Sequence, residues 1–318
     1  MTALVQAPLV VAALGGNASY PPHIRGTAQE QFDIINGLTE RLLEIVQRGY
    51  RLVLTHGNGP VVGNILFRMA RTATELPPMP MDVCVAHSQG GMGYMFQQSF
   101  ANTLVRHGVD RQVISLVSQV EVDPGDPAFD NPTKPVGKFF SREVAADMAE
   151  QTGWIFGEDA GRGYRRLVAS PRPQRILELP TIRVLLDAGV VPIAAGGGGI
   201  PVVRRPDGEY EGVAAVIDKD LTSALLAAQL GAETLLLLTG VERVAVDFGT
   251  PQQRFIDRMS AAQARELAAQ GQFPPGSMGP KIQAALDYLD AGGKRVVITS
   301  LERAFEAIEG RAGTCVER

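Results

Sequence analysis

Three lysines stand out by their neighbours. Lys134 lies in Asn-Pro-Thr-Lys-Pro, Lys219 in Ile-Asp-Lys-Asp and Lys281 in Gly-Ser-Met-Gly-Pro-Lys. Each follows a strand end or rigid turn, or opens a helix. An ammonium group is a compact point charge suited to phosphate oxygens. Phosphoryl transfer needs mainly positioning and neutralisation of spread negative charge. A lysine taken at random is a solvated surface charge. That reading weakens for Lys219, flanked by Asp218 and Asp220 after an apolar strand, and for Lys281 in its glycine-proline turn. The two aspartates could hold Lys219, orient a magnesium-bound nucleotide or cap a helix.

Three glycine-rich turns supply a second half of such a site. Val190–Pro201 reads VVPIAAGGGGIP, an apolar run followed by Gly196 to Gly199. Leu9–Leu14 runs into Gly15-Gly16-Asn17-Ala18, and Arg51–Thr55 into His56-Gly57-Asn58-Gly59-Pro60. Apolar runs of this length bounded by turns read as buried strands. Glycine is costly in ordered structure, so four in a row imply backbone N–H groups approaching a ligand without a Cβ in the way. Ligands of open α/β sheets bind at the carboxyl ends of strands, where all three turns would lie. A flexible linker is the alternative for Gly196–Gly199, but a linker would not continue from a buried strand into IPVV. His56 could line the site or be a satisfied structural histidine. Arg162 and Arg165 could face substrate or form a solvated face.

The commonest nucleotide motifs are missing. Gly57-Asn58-Gly59 with Gly63 is spaced GxGxxxG rather than GxGxxG, and Glu75, near the distance expected for a ribose-binding acid, sits in ELPPMP rather than at a strand end. No G-x-x-x-x-G-K-[ST] occurs. The four histidines show no metal-ligand pattern, and Cys84 and Cys315 have neither disulfide nor zinc spacing. A formal net charge of −4 gives no basic field for nucleic acid. No apolar run reaches the ~18 residues of a membrane helix, and the first ten residues lack a basic leader region. The default expectation is a cytoplasmic protein.

These residues need a sheet to position them. The 3.6-residue pattern predicts a helix over 28–48 ending at Gly49, and another through Val61, Val62, Ile65 and Leu66. In residues 82–108 only the second half is helical in pattern, with Gln89-Gly90-Gly91 as its start. Gln112–Val122 reads as a strand. Residues 123–137 are rich in Pro, Asp and Asn and begin an excursion to about Pro173. A short helix over 181–188 leads back to the glycine-rich strand. Asp207-Gly208 signals a hairpin. Val213–Ile217 reads as a strand, then a helix to Leu230, and Thr234–Leu238 as a buried strand. Ser260 with Gln263 forms a capping box for a helix to Ala269. Pro280 suits the first turn of a helix over 280–290. Arg295–Thr299 and a last helix close the chain, with Thr314–Val316 as an edge strand. The alternation predicts an α/β fold, mostly parallel, with helices on both faces.

Taken together the motifs resemble carbamate kinases of the amino-acid-kinase superfamily. The matching stretches are ALGGNA (13–18), THGNGP with VG (55–63), SQGGMGY (88–94), NPTKPVG (131–137), EDAGRG (158–163), GGGGIPV (196–202), VIDKD (216–220), LTGV (238–241), GSMGPKI (276–282), ITSLE (298–302) and GTCV (313–316). The resemblance implies reversible phosphoryl transfer between ATP and carbamate, giving ADP and carbamoyl phosphate, with Mg2+. It implies a three-layer αβα sandwich with a protruding subdomain over about 123–173. An N-terminal lobe, 1–205, would bind carbamate and form a homodimer; a C-terminal lobe, 206–318, would bind nucleotide. It places Lys134, Lys219, Lys281 and Asp220 in catalysis. Gly15, Gly16, Asn17, Gly57, Asn58, Gly59, Gly197, Gly198 and Gly199 fall on substrate loops. Asp218, Thr239, Gly240, Val241, Ser277, Met278 and Gly279 fall on nucleotide contacts, and no residue falls on a protein-held metal site. Sister kinases carry a lysine where this chain has Ala13, and Lys134 takes its place. The segment 19–26 and His87 depart from the family pattern. Two other readings stand beside this one: a nicotinamide-dependent oxidoreductase, disfavoured by the broken GxGxxG, and a nucleotide sensor without activity, disfavoured by the three lysines and both aspartates.

Overall fold

The computed structural model describes residues 7–21, 24–159, 162–274 and 276–318. The first residues considered for a leader, part of the 19–26 segment and the middle of EDAGRG therefore lie outside the described residues. In chain order the elements begin with β1 (Leu9–Leu14), α1 (Gly16–Ser19), α2 (Ala28–Gln47), β2 (Arg51–His56), α3 (Val61–Arg71), α4 (Met81–Arg106), β3 (Val113–Ser115) and β4 (Gln119–Val122). Then come β5 (Lys134–Phe140), α5 (Arg142–Thr152), β6 (Ile155–Glu158), β7 (Tyr164–Val168), β8 (Pro173–Ile176), α6 (Leu179–Asp187), β9 (Val191–Ile193), β10 (Ile200–Arg204) and β11 (Tyr210–Gly212). The last part holds α7 (Lys219–Leu230), β12 (Thr234–Thr239), β13 (Val244–Val246), β14 (Arg254–Ile256), β15 (Arg258–Ser260), α8 (Ala261–Ala269), α9 (Met278–Asp290), β16 (Arg295–Ser300), α10 (Ala304–Ile308) and β17 (Thr314–Glu317).

An eight-stranded sheet, ordered β15-β17-β16-β12-β1-β2-β9-β3, forms the middle layer. Its pairs are parallel except β16 with β17. Strand side chains alternate between faces, and β1 shows it directly. Leu9, Val11 and Ala13 enter a core with Ala224, Leu226 and Ala227 of α7 and Ile282, Ala285 and Leu289 of α9. Val10, Ala12 and Leu14 enter the opposite core with Leu38, Leu42 and Ile45 of α2, Phe96 and Phe100 of α4 and Phe305 of α10. A sheet buried on both faces accounts for the unbroken apolar runs read from β1 and β12. The result is an αβα sandwich.

The remaining strands stand apart from this layer. β13 and β14 pair as a two-stranded ribbon, β11-β10-β4-β8 form one small sheet and β5-β7-β6 a second, with α5 packed on the latter. This second sheet meets the body where Gly137 crosses Gly63 on α3. A Cβ on Gly63 would come within 2.1 Å of the Gly137 Cα. Hydrogen-bonded capping boxes start α2 (Thr27 with Glu30) and α8 (Ser260 with Gln263).

Four local expectations need correction. α4 is a single helix from Met81, and Gly90 and Gly91 lie in its middle with open space around them. The stretch 112–122 is two short strands in different sheets, turned at 116–118. Residues 213–217 make only an isolated bridge, Ala215 to Ala169. β17 is internal, because β15 adds outside it. The first misreading rests on the two glycines, taken as a helix start; the other three rest on apolar composition, which cannot separate strand from buried coil or show which strand adds last. The departure at His87 falls on the exposed side of α4.

Candidate active site

The first turn of α7 organises the charged groups. Asp218 is its N-cap: Oδ1 accepts from the Asp220 N–H at 2.9 Å, while Oδ2 accepts from Lys134 Nζ at 2.8 Å. Lys134 therefore reaches across 84 residues from the start of β5. Asp220 has a different task. Its Oδ1 accepts from Lys219 Nζ at 2.7 Å and its Oδ2 from Lys281 Nζ at 3.2 Å. One carboxylate thus bridges two ammonium groups on different helices. Asp220 is 4% exposed. Burial alone would raise its pKa, but Lys219 and Lys281 hold it well below the usual carboxylate range. Asp218 behaves alike: burial opposes ionisation, and Lys134 outweighs it. Burial and the nearby Lys281 charge pull the Lys219 pKa down against the attraction of Asp220.

The glycine turns pack onto this cluster and onto one another. A Cβ on Gly16 would sit 2.6 Å from the Gly59 nitrogen, and one on Gly57 would sit 3.2 Å from Lys219 Cδ. Gly15 lies against the Leu238 carbonyl of β12. The side chain of Asn17 is outside the described set. Gly196–Gly198 form a 3-10 turn entered through Ala195, whose φ is +50°. Packing within the protein gives these glycines a further reason, beside the expected approach of a ligand. The space of their missing Cβ atoms is filled by protein, namely His56, Asn58, Ile217 and Val120 for Gly196 to Gly199 in order. The N–H groups of Gly198 and Gly199 donate within the turn, to the carbonyls of Ala195 and Gly196. Gly197 also has φ of +69°, which an L side chain rarely adopts.

Several polar residues without a strong motif tie these parts together. Thr222 Oγ1 donates to the Gly198 carbonyl at 2.9 Å, and Ser223 and Thr55 hydroxyls meet at 2.6 Å. Gln89 Nε2 donates to the carbonyls of Ser118 and Gly196, and its Oε1 accepts from the Ser118 N–H. His56 is buried and stacks on Phe96 with ring centres 5.3 Å apart. Its Nδ1 lies 3.3 Å from the Gly57 carbonyl, which can only accept. Burial, assisted by Lys219, lowers its pKa to about 4 despite that bond, so the ring is neutral. Reading α4 as continuous from Met81 would have placed Ser88 and Gln89 on its inner side. No sequence signal marks His56 beyond its place at a strand end.

The residues expected at the nucleotide divide into two groups. Asp218 and Gly279 line a cavity of about 410 Å³ with Leu221, Phe273, Pro280 and Ile282. Thr239 ends β12 and Gly240 and Val241 follow it, and Ser277 and Met278 precede Lys281 at the start of α9; these five do not line that cavity. Arg165 and Arg162 both pair with Asp159 and lie over Phe139 on the small three-stranded sheet. Among the described residues no cluster of three His, Cys, Asp or Glu could hold a metal ion.

The chain matches known proteins over nearly its whole length. The family model described as amino acid kinase family aligns with residues 8–300. The chain belongs to the amino acid kinase family. A carbamate kinase-like protein of Escherichia coli is 48% identical over 309 residues, covering 96% of this chain and 98% of that protein. A carbamate kinase of Pyrococcus furiosus is 45% identical with the same coverage. Among solved structures, carbamate kinase from Giardia lamblia bound to citric acid superposes with a TM-score of 0.93 at 40% identity, covering 98% of this chain and 99% of that one. The same Giardia enzyme bound to AMP-PNP gives 0.90. An N-acetylglutamate synthase from Neisseria gonorrhoeae is 17% identical with a TM-score of 0.57 and shares the fold alone.

Proposed function

We propose that this protein is a carbamate kinase, moving a phosphoryl group reversibly between ATP and carbamate to give ADP and carbamoyl phosphate. The observation that carries the reading is the bridge Lys219–Asp220–Lys281, joined at Asp218 by Lys134 and packed against glycine turns. In the forward direction a carbamate oxygen bonds to the γ-phosphorus as the bond from phosphorus to the ADP oxygen breaks. The attacking oxygen is already anionic, so no general base is required. The work is neutralising charge on the transferred group, and ammonium groups preorganised by carboxylates do this with little reorganisation. Lys219 and Lys281 face the transferring phosphoryl group in this reading, and Asp220 fixes their direction. Lys134 supplies the cation that Ala13 cannot.

Gly15, Gly16, Asn17, Gly57, Asn58, Gly59 and Gly197–Gly199 form the carbamate side. Thr239–Val241, Ser277–Gly279 and Asp218 form the nucleotide side, each on its half of the chain about residue 205. Mg2+ fits as a partner of the nucleotide phosphates, because the oxygens of Asp218 and Asp220 are committed to lysines and a helix N–H. Bound there, it would supply further charge neutralisation. Exposed Tyr94 and Val105 on α4 and Ile114 and Val117 near the edge strand β3 support a homodimer through the N-terminal half. A cytoplasmic role making ATP during arginine or related catabolism suits the reverse direction. An acceptor panel tests the reading: phosphorylation of carbamate should far exceed that of N-acetylglutamate or aspartate. A preference for either larger acceptor would reject it.

A further inference from the structure

The amide of Asn58 is 6% exposed and sits where the second glycine turn meets the four-glycine turn. Its Nδ2 lies 3.4 Å from the Gly197 carbonyl, and its Oδ1 lies 2.7 Å from Ser88 Oγ. A backbone carbonyl can only accept, so Nδ2 must face Gly197. Oδ1 then accepts the Ser88 hydroxyl proton. Ser88 Oγ is also 2.7 Å from the Val85 carbonyl, but one hydroxyl carries one proton. The amide decides where that proton goes, since the opposite choice leaves Oδ1 buried without a donor. With both bonds made, Asn58 keeps one Nδ2 hydrogen uncommitted.

We infer that Ser88 is a positioning residue that locks the Asn58 amide so that a donor, not a carbonyl oxygen, is offered to the anionic substrate. Ser88 is buried on α4, and its hydroxyl contacts Asn58 Oδ1 and the Val85 carbonyl, so it would act on substrate only through Asn58. This rests on the reading that Asn58 belongs to the carbamate side. Without Ser88 only the longer contact to the Gly197 carbonyl, at 3.4 Å, opposes turnover of the amide, and a turned amide would set its oxygen against an incoming carboxylate or phosphate.

The test compares wild type with Ser88→Ala, Asn58→Ala and the double variant, assayed with carbamoyl phosphate and ADP, with thermal midpoints recorded alongside. Ser88→Ala should raise KM for carbamoyl phosphate roughly tenfold while KM for ADP stays within about twofold, as expected for losing one hydrogen bond to a charged partner. On the Asn58→Ala background, Ser88→Ala should change kcat/KM by no more than about twofold, because the residue it acts through is gone. Ser88→Cys, close in size and a weak donor, should fall between serine and alanine, and it replaces alanine if that variant does not fold. Equal losses on both backgrounds, or a changed thermal midpoint with unchanged KM, would overturn the inference. A wild-type protein inert with carbamoyl phosphate would instead sink the proposed function and this inference with it.

Discussion

His56 offers a prediction whose size follows from its surroundings. The ring is buried and its pKa falls from 6.5 to about 4. Because the folded-state value is the lower one, the unfolded chain takes up the proton first as pH drops. The neutral ring's contribution is complete above about pH 6.5 and is lost as pH falls toward 4. Each unit of difference is worth about 1.4 kcal/mol, so the full window spans roughly 3 kcal/mol, of which about 2 kcal/mol is lost between pH 7 and pH 5. The aspartates near the site titrate below this interval, since their pKa values are also depressed. Urea unfolding at both pH values, for wild type and His56→Gln, isolates the effect. The variant starts less stable because the stacking on Phe96 is gone, but its stability should change less over the interval by about 2 kcal/mol. Parallel pH dependence in the two proteins would refute the claim that His56 is held neutral.

The charged cluster yields further expectations. Lys281→Ala should lower kcat far more than it weakens ADP binding, since a charge used at the transition state acts on the rate; calorimetric ADP affinity beside steady-state rates checks this. Lys134→Ala should cut turnover severely while circular dichroism and ADP affinity stay near wild type, because Asp218 loses one half-buried partner and keeps its cap on the α7 N–H groups. Asp220→Asn should abolish most turnover and cost about 3–5 kcal/mol in chemical denaturation, the range for breaking a buried ion pair. An Asp220→Asn protein of normal stability would mean that the two lysines are not held as described.

The sequence was informative wherever chemistry and periodicity coincide. Apolar runs in β1 and β12, ended by glycine or threonine-glycine, mark strands buried on both faces. The aspartates around Lys219 signal a helix start after an apolar segment. What escaped was long-range: that Asp220 would gather Lys219 and Lys281, and Asp218 would gather Lys134, depends on sheet order rather than on spacing. The four glycines were legible as a special turn, but not the packing that fills their Cβ space, since their neighbours come from β2, the turn after it, β4 and residue 217. The composition of α4 hid its first half, because two glycines suggested a start where the helix merely presents open surface.

In the proposed reaction three lysines, held by two carboxylates, serve the transfer of one phosphoryl group to a very small acceptor. The most direct test is ATP formation by the purified protein from ADP, Mg2+ and carbamoyl phosphate, followed by luciferase light. Rapid ATP production that disappears in Lys281→Ala is the predicted result. Absence of ATP with wild-type protein, under conditions where a known carbamate kinase turns over, would contradict it.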